Sequence, residues 1–185
     1  MHPVNSWWQL QSGALMKDPT ASSVEAAWQW VSPTLRMAEM YYSRNGLPID
    51  EDLSFNYNGR YNITTVPGDR RDYAQPGLKT AYLHLDREPR FYSSIGFDTG
   101  QYRGWGELWT LRMRKGQTHG RIAQTSDYLI TGYALKKLIH PDSEGDNYEK
   151  VIRYPWPNAR LSELYLNYAE AMNEAYGPSQ EVYDA

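Results

Sequence analysis

The sequence predicts a mainly α protein with short β-strands and long loops. Three observations lead there. Leu161, Leu164, Tyr165, Tyr168, Met172 and Ala175 recur at the spacing of one helix face. Leu35, Ala38, Tyr41 and Tyr42 form a second, shorter stripe of the same period. Between Asp50 and Pro76 the chain turns polar and carries Gly59, Gly68 and two prolines, which marks a long loop.

Residues 1–20 read as irregular, with Trp7 and Trp8 adjacent in a polar segment that ends at Asp18-Pro19-Thr20. Ser22 to Glu25 forms a capping box that opens a short helix through Trp28 to Val31. Ser32 caps the next helix, and Pro33 suits its first position because the missing N–H is unused there. Asn45-Gly46 ends that helix, with Gly46 left-handed and Pro48 blocking continuation. Within the long loop, Tyr61 to Val66 is a short strand, and Phe55, Tyr57, Tyr61 and Tyr73 argue against plain disorder. Residues 78–85 begin either a helix or a strand, since their alternation is poor. Arg90 to Phe97 reads as a strand, Asp98-Thr99-Gly100 as a turn, and Tyr128 to Lys137 as another strand. Pro141 to Asp146 is an acidic, turn-rich loop. Asn158 caps the last long helix, Gly177-Pro178 stops it, and Ser179 looks like the cap of a further helix, with the sequence ending at Ala185 before that helix can form. Residues 1–185 read as a single partial domain.

The chain has 185 residues, with 19 Lys+Arg against 22 Asp+Glu and a net charge of -3. That balance argues against a dedicated nucleic-acid binder. Cys is absent, which excludes disulfides, thiol catalysis and Cys-ligated zinc. Mean hydropathy is -0.74, and no apolar run approaches the ~18 residues of a membrane span. The opening MHPVNSWWQLQSG has no apolar signal-peptide core. The aromatics are 7 Trp, 16 Tyr and only 3 Phe, so 7 + 16 = 23 of them carry a polar handle. Such rings suit half-wet clefts and surfaces that stack on flat partners; the plain alternative is a core filled with Tyr.

Catalytic patterns are missing. His2, His84, His119 and His140 have no ligand-like spacing, and no Gly-x-Ser-x-Gly elbow occurs. Gly100, Gly104 and Gly106 lack the strand–turn–helix frame of a phosphate loop. Asp50-Glu51-Asp52 reads as a solvated loop. The expected catalytic, metal and cofactor sets are therefore empty. Residues 101–121 hold Arg103, Arg112, Arg114, Lys115 and Arg121 against Glu107, a local charge of +5 − 1 = +4, with Tyr102, Trp105 and Trp109 interleaved. That composition suits single-stranded nucleic acid, a carbohydrate surface, or an Arg-rich, half-buried hairpin, and the acidic whole disfavours the first.

Four segments in order resemble the SusD/RagB family. They are Pro33 to Tyr42 closed by Asn45-Gly46-Leu47-Pro48-Ile49, Leu85-Asp86-Arg87-Glu88-Pro89-Arg90-Phe91-Tyr92, Thr131-Gly132-Tyr133 with Lys136-Lys137, and Arg160 to Glu174. The resemblance runs from Ser32 to the C-terminus. It implies an α-α superhelix with TPR-like helix pairs and a loop-rich second half, and the early TPR helices and the segment after the last helix are missing here. It implies a lipid-anchored protein on the outer face of the outer membrane that captures oligosaccharide or polysaccharide for a SusC-like TonB-dependent transporter. Membrane contact would run only through an N-terminal lipid anchor that this sequence lacks, and no nucleic acid is implied. Arg87 and Arg90 are read as strand-end ion pairs, and Tyr165 and Tyr168 as core. Sugar stacking is expected from aromatics outside the four segments: Trp7, Trp8, Trp28, Trp30, Tyr57, Tyr61, Trp105 and Trp109, with Arg103 meeting a hydroxyl. Trp105 leads, because Gly104 and Gly106 leave its ring uncovered; its alternative is a tight turn that folds the ring into the core. A glycoside hydrolase and a protein-interaction scaffold remain the rival readings.

Overall fold

The computed structural model describes residues 28–104, 107–121, 128–137, 139–143, 151–155 and 159–184. The described residues up to Arg153 belong to one compact unit, and those from Tyr154 onward to a second.

In the first unit, helix α1 spans Leu35–Met40. Its cap is Thr34, not Ser32: the Thr34 Oγ1 accepts the Met37 N–H at 3.1 Å. It also ends early. Tyr41 is already extended, so Asn45-Gly46 closes a tight loop beyond the helix, not the helix itself. Gly46 does take the left-handed conformation, with φ +75°. Residues 28–34 are irregular, which corrects the expected helix through Trp28 to Val31, and Gln29 sits at φ +58°. The start of that expected helix lies outside the described residues.

Three two-stranded antiparallel sheets follow among the described residues. Strands β1 (Ile63–Thr65) and β2 (Lys79–Ala81) pair with Thr64 opposite Thr80. Strands β3 (Ile95–Gly96) and β6 (Ala134–Leu135) pair across the chain, and β4 (Gln101–Gly104) pairs with β5 (Glu107–Thr110). Residues 78–85 resolve into β2 followed by a 3-10 turn at Tyr82–His84.

Two expected strands are corrected. Residues 90–94 lie in helix α2, Pro89–Ser94, with Pro89 in its first turn. A strand sends neighbours to opposite faces, whereas Phe91 and Tyr92 both enter the core, as successive helical positions can. Of Tyr128 to Lys137, only Ala134–Leu135 is strand, because Gly132 at φ +74° turns the chain just before it.

The main core gathers Val66, Leu85, Phe91, Tyr92, Ile95, Phe97 and Tyr133. Arg87 crosses it almost fully buried. It pairs with no acid among the described residues; its guanidinium donates to the carbonyls of Ala38 (2.8 Å), Leu83 (2.9 Å), Tyr41 (2.5 Å) and Tyr42 (3.3 Å). Three of these lie at the C-terminal end of α1 or just past it, where helix carbonyls lack partners. Arg87 is thus a helix cap and not the expected ion pair. Burial lowers its pKa to about 10. Arg90 does form an ion pair, with Glu88 at 2.7 Å.

His84 is equally enclosed. Thr80 Oγ1 donates its one hydrogen to the Asp98 carbonyl at 3.0 Å, so it must accept from His84 Nδ1 at 2.6 Å. The Nε2 then accepts the Tyr133 hydroxyl at 2.9 Å. Burial, with Arg87 nearby, pushes the His84 pKa down to about 3, so the ring is neutral.

In the second unit, helix α3 (Leu161–Tyr176) starts after Arg160, while Asn158 lies outside the described residues. Gly177 ends it at φ +80°, its N–H bonding the Asn173 carbonyl at 2.9 Å. Helix α4 (Gln180–Asp184) follows, and the Tyr168 hydroxyl donates to Glu181. No residue of α3 is buried. Tyr165 and Tyr168, expected in a core, are exposed.

Candidate functional site

Tyr57 and Tyr61 are brought together by the folded loop that follows Pro48. The turn Tyr57 to Arg60, closed by the Arg60 N–H to the Tyr57 carbonyl at 3.2 Å, sets the Arg60 guanidinium against both rings. It lies 3.9 Å from the Tyr57 centroid and 4.3 Å from the Tyr61 centroid. Glu39, on α1, fixes the arrangement. Its carboxylate accepts Arg60 Nε at 2.8 Å and the Tyr61 hydroxyl. Partial burial pushes the Glu39 carboxyl up, but hydrogen bonds from Tyr61 and Arg60 outweigh it and hold the pKa below its ordinary value. The same bond to Glu39 raises the Tyr61 pKa, so its hydroxyl stays protonated.

Tyr61 remains 49% exposed although Arg60 covers one side of its ring. A cavity of about 160 Å³ is lined by Tyr57, Arg36, Glu39, Met40 and Asp50 and shares Glu39 with the Tyr61 hydrogen bond. The patch therefore offers an immobilised ring, charged donors and carboxylate acceptors within one surface, which can stack on an apolar face and bond the polar groups at its edge.

Trp28 and Trp30 form a second aromatic feature. Their centroids are 5.0 Å apart with ring planes at 27°, and Trp30 is 59% exposed. Arg103 is exposed on β4. Trp109 is corrected: it is 8% exposed and meets Tyr102 edge-on at 5.8 Å, so its ring fills the β4–β5 hairpin. The period of two turns Trp109 inward while Leu108, its neighbour, faces out. Trp7, Trp8 and Trp105 lie outside the described residues. Sequence reasoning missed Glu39 and Arg60, although Arg60 directly precedes Tyr61 and lies three residues after Tyr57. Among the described residues no cluster of His, Asp and Glu could hold a metal ion, and no helix is long and apolar enough to cross a membrane.

The SusD family matches residues 5–185, and the chain belongs to that family. Among solved structures it is similar to BT4246, at 30% identity and a TM-score of 0.60, over 86% of this chain and 26% of that one. The selenomethionine form of BT4246 gives 29% identity, a TM-score of 0.60, and 86% and 27% coverage. A SusD-like protein from Bacteroides fragilis NCTC 9343 (BF3747) gives 20% identity, a TM-score of 0.48, and 91% and 30% coverage. Nothing matches among curated proteins. The chain spans about a quarter of the length of BT4246. The SusD-type fold is thus supported over that span, while the few helices and small sheets of the described residues do not amount to a TPR superhelix.

Proposed function

We propose that this protein captures an extracellular glycan without catalysis and passes it to a SusC-like TonB-dependent transporter at the outer membrane. Lipid anchoring at the N-terminus of the full-length protein belongs to the same reading, as does a place for α3 and α4 as one helix pair of an α-α superhelix. The chain is then one part of a SusD-like domain. Membership of the SusD family supports capture. The observation that carries it is the Tyr57–Arg60–Tyr61 stack, locked by Glu39 before any ligand arrives. A ring held in place loses little freedom on binding, so its contact area converts efficiently to affinity. Exposed Trp30, stacked on Trp28, supplies a second platform, and Arg103 a further donor.

The test is a glycan array followed by calorimetric titration with the oligosaccharide that binds best. Tyr61→Ala is expected to weaken binding ten- to a hundredfold, as truncation of an anchoring ring does. An array on which no glycan binds would overturn the reading. Co-purification with a SusC-like transporter tests the partner separately.

A further inference from the structure

A second region shares no lining residue with the tyrosine patch. Two polar cavities, of about 320 and 380 Å³, both have Arg44 and Asp86 in their walls. Each falls within the roughly 300–1,000 Å³ typical of small-molecule sites. Asp86 takes φ +53°, a conformation that costs a non-glycine residue energy. It holds Arg70 Nη2 at 2.6 Å and Nε at 3.2 Å, and Arg44 Nη1 at 3.5 Å, all on one carboxylate oxygen.

The state of each polar group decides what the cleft can accept. Arg70 is committed to Asp86 and Asp69, and Arg87 to backbone carbonyls. Asp52 is committed too: hydrogen bonds from Ser43, Ser54 and Asn45 hold its pKa down to about 2. Arg44 differs, with its side chain 59% exposed and its ion pair to Asp86, the one it makes among the described residues, long at 3.5 Å. Asp72 is exposed and has no ion pair or hydrogen bond to any described residue. Tyr73 stacks on Tyr92 with centroids 4.2 Å apart and planes at 11°, and stays 39% exposed on the cavity wall.

The wall thus presents a movable donor, a free acceptor and a braced ring. The cavity that holds Tyr73 carries three arginines against three aspartates, +3 − 3 = 0. An anion would meet no net positive charge, with Arg70 and Arg87 already bonded and the Asp72 carboxylate facing it. An apolar ligand would strip water from the carboxylates without replacing their hydrogen bonds. A neutral molecule with several hydroxyls and one C–H face satisfies all three groups. We propose that this cleft is a carbohydrate subsite distinct from the tyrosine patch, taking a neutral sugar residue against Tyr73, with Asp72 and Arg44 on its hydroxyls. The proposal rests on the glycan-capture reading for the source of its ligand.

The experiment titrates wild type, Asp72→Asn, Arg44→Ala and Tyr61→Ala against an array of neutral and sialylated oligosaccharides, with a thermal melt of each. Both Asp72 and Arg44 are exposed, so the melts are expected to stay unchanged. Asp72→Asn and Arg44→Ala are each expected to weaken neutral-glycan binding about tenfold or more, the loss expected for a hydrogen bond to a charged group. Wild-type affinity in both variants, with Tyr61→Ala impaired, would overturn the subsite and leave glycan capture standing. Preference for sialylated over neutral glycans would overturn the ligand class. Wild type binding no array glycan would overturn capture itself, and the subsite with it.

Discussion

Arg60 and Arg87 are both cations set against aromatic rings, and they do opposite things. Arg60 is half-buried against Tyr57 and Tyr61, with its Nε on the Glu39 carboxylate and one further donor on the Tyr57 carbonyl. Arg87 is buried, 4.7 Å from the Phe91 centroid, with backbone carbonyls for company. A carboxylate neutralises a cation and leaves the rings presentable. Carbonyls use up its donors and tie distant backbone together. The charge partner therefore separates an arginine that leaves its rings accessible from one that ties backbone together better than the ring contacts do.

The largest way to break this contrast is Arg87→Met. It removes the donors to at least four carbonyls, and each carbonyl stranded without water costs about 1–3 kcal/mol. A loss of about 3 kcal/mol or more is expected in urea unfolding, and a loss under 1 kcal/mol would refute the cap. Next comes the pH dependence of the same core. His84 is neutral when folded, with a pKa of about 3 against an ordinary 6.5. Between those values the unfolded chain binds a proton that the folded one refuses. Stability is therefore expected to fall as pH drops through that window, by up to about 1.4 kcal/mol per unit from this group, and to show no contribution above it. His84→Gln should flatten that part of the profile; an unchanged slope would show the ring titrates normally. Gly46→Val follows, at about 1–2 kcal/mol. A Cβ there meets no atom within 4 Å, so the cost is the left-handed backbone alone. If stability is unchanged, the backbone has another route. Smallest is Arg60→Met, expected to lose about 1 kcal/mol of stability or less but to weaken glycan binding measurably by calorimetry, since it frees the two rings.

The sequence was most informative where signals are local. The cap at Ser179, the stop at Gly177, the turn at Asp98 to Gly100 and a strand within Tyr61 to Val66 were legible from turn and cap chemistry, whereas α4 forms where too little sequence was expected to remain for a helix. The strand expected at Arg90 was not, because alternation cannot reveal that Phe91 and Tyr92 enter one core together. The candidate site was half legible. Tyr57 and Tyr61 announce themselves as loop aromatics, but Glu39 joins them from 22 residues away from Tyr61, and only the folded chain brings it there. Trp109 failed for the same reason in reverse: composition marks a ring, and pairing register decides which way it faces.

The cap on α1 also has a consequence for the order of events during synthesis. A six-residue helix is too short to persist alone in water, where roughly 12–15 residues are marginal. Its terminal carbonyls wait for Arg87, which lies 49 residues after Ala38. While the ribosome is still making the intervening loop, α1 has no stable form. Full capping of the segment bearing Glu39 is expected once Arg87 has cleared the exit tunnel and closed that long loop. The α1 side of the tyrosine patch is then expected to be completed late, after its own local turn at Tyr57 to Arg60 has formed.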